Sequence, residues 1–153
     1  MLNLVFNNFT TDKKYGLKFF KSVVQGSANK LGFAGKNIEL SINLVGENKI
    51  KALNKKYLGK YGSTDVLSFP LGDRVSIKSA DNDIMALGDI FICLPVAKRR
   101  ALEEGTSLNF KLAILTVHDL LHLAGYGHEK SAKEAKKMRE LQEKILKRLA
   151  ISD

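Results

Sequence analysis

Apolar and polar residues alternate along several short stretches of the chain, and this alternation is the pattern of a β-strand with one buried face. In the second of these stretches Ile38, Leu40 and Ile42 fall on the same face, and Leu44 continues the series. The third stretch is closed by Pro70, and the fourth is apolar almost throughout. The predicted strands are residues 2–6, 38–45, 66–69 and 86–94. The polar residues 74–83 are expected to form a surface excursion between the last two strands.

Five other stretches repeat their apolar residues every three or four positions, which predicts helices. They are residues 15–31, 47–57, 95–104, 108–124 and a last helix after Ser131. The fourth helix is apolar on nearly every side until Asp119, which is typical of a helix in the centre of a fold, and Gly125 is placed to end it. Strands alternate with helices before two helices close the chain. This order predicts an α/β (α+β) fold with a small mixed sheet packed against about five helices.

Composition and charge limit the cellular compartment and the class of partner that we expect for this protein. The chain has 153 residues, a formal net charge of +9 and one cysteine, Cys93, which excludes an intramolecular disulfide. It shows neither a signal peptide nor an apolar run of the ~18 residues needed to span a bilayer. We therefore expect one domain over residues 1–153, located in the cytoplasm and without membrane contact. The positive charge suits a polyanionic partner, although solubility alone also explains it.

All three histidines fall within "HDLLHLAGYGH", residues 118–128. His118 and His122 are four residues apart, so on a helix they lie on one face about 6 Å apart. A break at Gly125 lets the chain bring His128 back toward them. H-x-x-x-H-x-x-G-x-x-H is the ligand spacing of metzincin zinc proteases, and three protein ligands leave a coordination position for water, as in catalytic zinc sites. The sequence therefore predicts one Zn²⁺ per chain, with nickel or another ion left open.

Three stretches carry a resemblance to a known family: "STDVLSFPL" (63–71), "LGDIFICLPVAKRRA" (87–101) and "HDLLHLAGYGHEK" (118–130). With the spacing between them they resemble the YbeY family of bacterial endoribonucleases. The resemblance implies a single metal-dependent hydrolase domain that cleaves single-stranded RNA, with His118, His122 and His128 binding the metal, usually zinc. It also implies a part in 3′-end maturation of 16S rRNA and in ribosome quality control, with the small ribosomal subunit and its proteins as partners. The oligomeric state is left open, with a monomer as the expectation.

The sequence departs from the family pattern at three positions. Asp119 replaces the usual glycine, Gly127 replaces the usual aspartate, and Leu58 stands where the family commonly has an arginine. Asp119 has three interpretations: a general base like the glutamate of HExxH proteases, an acceptor that orients a histidine, or a solvent-facing side chain. Lys56 or Lys60 could replace the arginine's charge, although a lysine cannot reproduce its planar fork.

Other polar residues near these motifs remain open to two interpretations. Thr64 and Asp65 either line the metal cleft or serve ordinary turn chemistry before a strand. The run "AKRRA" (97–101) is expected to be a solvated face. The lysines expected to hold the RNA backbone are Lys55, Lys56, Lys60 and Lys130. Two other functions compete with the nuclease: a metzincin-like metalloprotease, and a non-catalytic ribosome-assembly factor that zinc stabilises.

Overall fold

The computed structural model describes residues 1–33, 35–78, 83–127 and 131–151, and for residues 72–78 and 83 it describes the backbone alone. Four strands and five helices follow one another in these parts of the chain. They are β1 (Leu2–Asn8), α1 (Leu17–Ala28), β2 (Asn37–Val45), α2 (Glu47–Leu58), β3 (Val66–Lys78), β4 (Asp83–Cys93), α3 (Leu94–Glu104), α4 (Leu108–Leu123) and α5 (Ala132–Leu149). The predicted α/β fold with a small mixed sheet and five helices is confirmed.

The strands form one sheet in the order β1-β2-β4-β3. β1 pairs with β2 and β2 with β4 in parallel, whereas β3 runs antiparallel to β4. The parallel pairs are joined through helices, as parallel connections require. β1 and β3 are therefore the edges of the sheet.

Strand β3 is longer than the sequence predicts. Pro70 does not end it; the ladder shifts its register between Pro70 and Val75 and continues to Lys78. An edge strand tolerates proline because one side of the strand needs no ladder partner, and a bulge relieves the missing N–H. Residues 75–78 and 83, which the sequence assigned to an excursion between the strands, instead pair in the β3–β4 ladder, while residues 79–82 lie outside the described residues.

Helix α1 is shorter than the predicted span of 15–31. Phe20 and Val24 are buried as the apolar spacing predicts, but Leu17 is 45% exposed. The helix ends at Ala28, whose carbonyl accepts from the backbone N–H of Phe33 at 2.9 Å. Leu31 is buried beyond the helix end, so this part of the spacing reflects a turn that folds back onto the core.

The sheet carries a hydrophobic cluster on each face. Ile92 belongs to the larger cluster and the next residue, Cys93, to the smaller one, and successive strand residues point to opposite faces. α1, α4 and α5 pack on the larger cluster, and α2 packs on the smaller one. Within α4, Leu112, Val117 and Leu121 are fully buried, which confirms its central position. None of the described helices is long and apolar enough to cross a membrane.

Candidate metal centre

Two histidine side chains meet near the C-terminal end of α4. His118 and His122 are separated by one helical turn, and their Nε2 atoms lie 3.0 Å apart. The ring centroids are 4.6 Å apart and the ring planes cross at 81°. Both rings are half-buried, so the four-residue spacing does bring two imidazoles together at the edge of the core.

The other nitrogen of each ring faces a carbonyl oxygen. His118 Nδ1 lies 2.9 Å from Oε1 of Gln142, and His122 Nδ1 lies 3.2 Å from the backbone oxygen of Tyr126. A carbonyl oxygen only accepts, so each Nδ1 carries the hydrogen, and in the neutral rings each Nε2 keeps its lone pair. Two lone pairs facing each other at 3.0 Å repel unless a proton or a metal cation lies between them. Two ligands of a tetrahedral zinc at about 2.05 Å are roughly 3.3 Å apart, so this pair fits the metal.

The third predicted ligand, His128, lies outside the described residues. Up to that point the chain does turn: Gly125 has a φ of 103° and Gly127 a φ of 78°. A Cβ atom added at Gly127 would stand 3.0 Å from Cε1 of His122 and 3.0 Å from Sδ of Met138. The loop is therefore closely packed against the His122 ring. Within the described residues no group of three or more potential ligand side chains forms a metal site, and the assignment of the three ligands stays a prediction.

A cavity of about 600 Å³ opens beside the two histidines, between α4 and α5. Arg139 and Gln142 of α5 share it with the imidazoles, and sequence reasoning missed both. Gln142 is four residues after Met138, whose inward position the helical pattern predicts, so the same periodicity could have found it. The lining residues are His118, His122, Gly127, Ser131, Ala132, Ala135, Met138, Arg139 and Gln142.

Asp119 is buried, with 5% of its surface exposed, so its interpretation as a solvent-facing residue is wrong. It does not line the cavity beside the histidines. Burial raises the pKa of Asp119 to about 6; the nearby Asp65 acts in the same direction and His118 acts in the opposite one. Asp119 is itself part of the histidine helix α4 and directly follows His118, while a role as base or as a histidine-orienting acceptor stays open.

Asp65 is the centre of an ion-pair network in which Asp65 and Lys111 are largely buried while Arg100 and Glu104 are partly exposed. Arg100 Nη1 lies 2.8 Å from Asp65 Oδ2, and Lys111 Nζ lies 3.8 Å from the same oxygen. Lys111 also donates to Glu104 Oε1 at 2.9 Å. These contacts tie the residue before β3 to α3 and α4, and the two interpretations of Asp65, a cleft residue or turn chemistry, stay open.

The basic run 97–101 is more than a solvated face. Lys98 pairs with Asp12 at 2.7 Å, and Arg99 pairs with Glu47 at 2.6 Å. With the contact between Arg100 and Asp65, all three cations of the run have an acidic partner in the fold. Their charges stabilise contacts within the chain.

Not all of the lysines expected to contact RNA fall within the described residues. Lys56 and Lys60 are exposed, and neither lines the histidine cavity. Lys56 Nζ lies 5.2 Å from the centre of the Tyr57 ring. Leu58, at the end of α2, is half exposed. Lys130 lies outside the described residues. RNA binding by these lysines stays a prediction.

Comparison with known proteins identifies relatives along nearly the whole chain. The family profile described as Endoribonuclease YbeY matches residues 5–150. A protein named Endoribonuclease YbeY from Sulfurihydrogenibium sp. (strain YO3AOP1) is 37% identical over 146 residues, covering 95% of this chain and 91% of its own. The protein of the same name from Persephonella marina is 36% identical over 149 residues, covering 97% and 94%.

A solved structure shows the same fold. The solution structure of a Thermotoga maritima protein superposes with a TM-score of 0.67 at 26% identity, covering 96% of this chain and 89% of that one. The family resemblance carried by the three motifs is thereby confirmed. From the profile match and these relatives, the chain belongs to the YbeY endoribonuclease family.

Proposed function

We propose that this protein is a zinc-dependent endoribonuclease specific for single-stranded RNA, which acts in 3′-end maturation of 16S rRNA and in ribosome quality control. Membership of the YbeY family supports RNA cleavage. The observation that carries the metal dependence is the pair of Nε2 atoms 3.0 Å apart, with each Nδ1 held by a carbonyl oxygen. The proposed setting is the cytoplasm, with the small ribosomal subunit and its proteins as partners.

In this proposal His118, His122 and His128 hold one Zn²⁺. When bound, zinc supplies a Lewis acid for a phosphate oxygen and lowers the pKa of a bound water to about 7. Gln142 and the Tyr126 carbonyl keep the two described rings in the tautomer and orientation that ligation needs. The histidines therefore need little rearrangement to bind the ion.

Arg139 is the residue suited to bind the substrate's phosphate in the same cavity. A guanidinium donates two parallel hydrogen bonds to phosphate oxygens, which a lysine ammonium cannot do. The chain has Leu58 at the position where the family resemblance implies an arginine, so Arg139 offers this geometry from another element. A cavity of about 600 Å³ falls in the usual range for small-ligand sites and has room for a nucleotide.

The two competing functions differ in how well the structure supports them. A metalloprotease needs a base within reach of the reacting water, and Asp119 is buried away from the cavity lining. The zinc-stabilised assembly factor has one observation in its favour. The hydrogen bond between His118 of α4 and Gln142 of α5 would couple metal binding to the packing of the last helix.

One experiment separates the three functions. Protein purified without a histidine tag is analysed for metal and then incubated with single-stranded RNA, duplex RNA or casein, with and without a chelator. We expect cleavage of single-stranded RNA alone, lost with chelator, regained with Zn²⁺ and absent in His118→Ala. Lys133→Ala, on the exposed surface of α5, is the matched control and should cleave normally. Cleaved casein with intact RNA would establish the protease, and no cleavage with loss of helix packing on metal removal would establish the assembly factor.

A further inference from the structure

Two tyrosines present their rings to solvent where α2 ends and the following loop begins. Tyr61 is 85% exposed and Tyr57 is 57% exposed. Three lysines accompany them in the same short segment. We call this feature the tyrosine–lysine surface: Lys55, Lys56, Tyr57, Lys60 and Tyr61.

The ring of Tyr57 packs against an aromatic side chain of the sheet. Its centroid lies 5.2 Å from that of Phe69 in β3, with the planes at 58°. Phe69 in turn packs edge-to-face on Phe91 of β4, at 5.8 Å and 72°. Both phenylalanines pack against the smaller hydrophobic cluster. Tyr57 therefore packs against aromatic side chains of the sheet while much of its own surface stays exposed to solvent.

Positive charge surrounds the two rings. Lys56 Nζ lies 5.2 Å from the Tyr57 centroid and Lys55 Nζ lies 5.8 Å from that of Tyr61. Residues 48–64 contain five lysines and neither aspartate nor glutamate. Among the side chains that the structure describes, no ion pair involves these lysines. Their charge is thus available to an anionic partner.

The surface lies on the chain segment that leads to the histidine helix. The loop after α2 ends at Asp65, whose Oδ2 lies 3.8 Å from Nζ of Lys111 in α4. The same helix carries His118 and His122. The loop beside the tyrosine–lysine surface therefore reaches the helix that carries the proposed metal ligands.

We propose that Tyr57 and Tyr61 stack against two bases of single-stranded RNA while Lys55, Lys56 and Lys60 contact its phosphates. Exposed aromatic rings interleaved with cations are how proteins hold single strands without reading their sequence. A duplex hides its base faces, so the surface also gives a physical basis for single-strand preference. This inference deepens the proposed nuclease function and rests on it.

The test measures binding in the absence of cleavage. Metal-free protein in chelator is titrated into a labelled pyrimidine RNA of about twelve nucleotides, within the usual site size of such surfaces, and fluorescence anisotropy is recorded. Tyr61→Ala should weaken binding about tenfold, the effect of losing one stacked base, whereas Tyr61→Phe should stay within about twofold because the ring remains. Leu102→Ala removes an apolar side chain that is 84% exposed on α3 and should leave binding unchanged.

Intrinsic fluorescence gives a readout that a merely structural role would not change. The chain has four tyrosines and no tryptophan, so stacking should quench the tyrosine emission when RNA binds. In the double variant Tyr57→Phe/Tyr61→Phe the RNA should still bind but the quenching should disappear. Because Tyr57 packs on Phe69, the melting temperature of each variant is measured alongside.

Three results would overturn the inference: unchanged RNA affinity in Tyr61→Ala, equal losses in Tyr61→Phe and Tyr61→Ala, or a poly-glutamate peptide binding with the same dependence on Tyr61. The last would make the surface a protein-docking site. Failure of the proposed nuclease function gives a different result. In that case wild-type protein with Zn²⁺ would bind RNA through these rings but would not cleave it.

Discussion

Two carbonyl oxygens hold the imidazoles of α4 in place, one from the Gln142 side chain and one from the Tyr126 backbone. They leave both Nε2 atoms directed toward each other. At the residue scale the proposed metal site therefore depends on atoms that would not themselves bind the ion. The loop at Gly127 adds a steric constraint on the same His122 ring.

Replacing Gln142 should weaken zinc binding without unfolding the protein. Gln142→Ala removes the acceptor for His118 Nδ1, and loss of such a partner lowers metal affinity about 10- to 100-fold. Gln142→Glu keeps an acceptor oxygen and should bind zinc nearly as well as the wild type. Competition with a chromophoric chelator measures the affinity. Gln25→Ala, on the exposed side of α1, is the control, and equal affinities for Gln142→Ala and this control would contradict the account.

Gly127→Ala should lower both stability and zinc affinity. The added Cβ meets the His122 ring at 3.0 Å, and the φ of 78° is unfavourable for alanine. Gly32→Ala separates these effects, because Gly32 has a φ of 75° and no atom within 4 Å of its added Cβ. We expect a loss of about 1 kcal/mol in the free energy of unfolding for both variants, measured in urea. Reduced zinc affinity is expected in Gly127→Ala alone; a similar reduction in Gly32→Ala would refute the steric argument.

Arg139→Ala should reduce kcat/KM for single-stranded RNA about 100-fold, the usual effect of removing one donor to the charge that develops in the transition state. Arg139→Lys should restore little of the lost rate, because lysine keeps the charge but lacks the paired donors. Arg148→Ala, exposed on the same helix and outside the cavity lining, should cleave normally. Steady-state kinetics at fixed Zn²⁺ give the comparison, and wild-type rates in Arg139→Ala would exclude the phosphate contact.

The sequence could predict the meeting of His118 and His122 because helical periodicity alone determines it. Periodicity also places Gln142 on the inward side of α5, four residues after Met138. It could not predict that Gln142 meets His118, because this contact depends on how α5 packs across α4. The burial of Asp119 likewise depends on the packing of α4 in the fold, which local spacing does not encode.

At the scale of helices and strands, a partly buried ion-pair network joins the start of the sheet's edge strand to two helices. Asp65 lies directly before β3, Arg100 belongs to α3 and Lys111 to α4, and Glu104 at the end of α3 completes the set. The network fixes the histidine helix relative to the sheet edge. Breaking it should cost stability because a buried charge loses a partner.

Lys111→Met should lower the free energy of unfolding by about 2 kcal/mol. Asp65 keeps Arg100 in this variant, so the fold should survive. Lys136→Met is the matched control, since Lys136 lies 4.0 Å from Glu140 on the exposed side of α5, and exposed pairs contribute less than about 1 kcal/mol. Urea unfolding measures both. Equal stabilities of the two variants would show that the partly buried network contributes little.

Periodicity predicted most elements, and its failures have a physical cause. The parallel strands and α4 have a buried face or are buried all round, so their apolar patterns are clear. β3 extends through Pro70 because it is an edge strand, and the edge position is a property of the sheet order. α1 ends early because its last apolar residues belong to a turn.

Across the whole molecule, which has a net charge of +9, some groups of cations have acidic partners in the fold and others do not. The cations of residues 98–100 are paired within the fold, whereas the lysines of 48–64 make no ion pair among the described side chains. Net charge alone could not distinguish these groups. The second group includes the three lysines of the proposed RNA contact, of which Lys55 and Lys56 lie on α2 and Lys60 lies on the loop after it.

The central claim is that three histidines hold one zinc ion in an open site. Zinc K-edge X-ray absorption on protein purified without a histidine tag and reconstituted with Zn²⁺ tests it most directly. We predict one zinc per chain with about three nitrogen ligands at ~2.0–2.1 Å, and loss of this signal in His118→Ala. Zinc that does not bind stoichiometrically, or whose nitrogen coordination is unchanged in His118→Ala, would contradict the account.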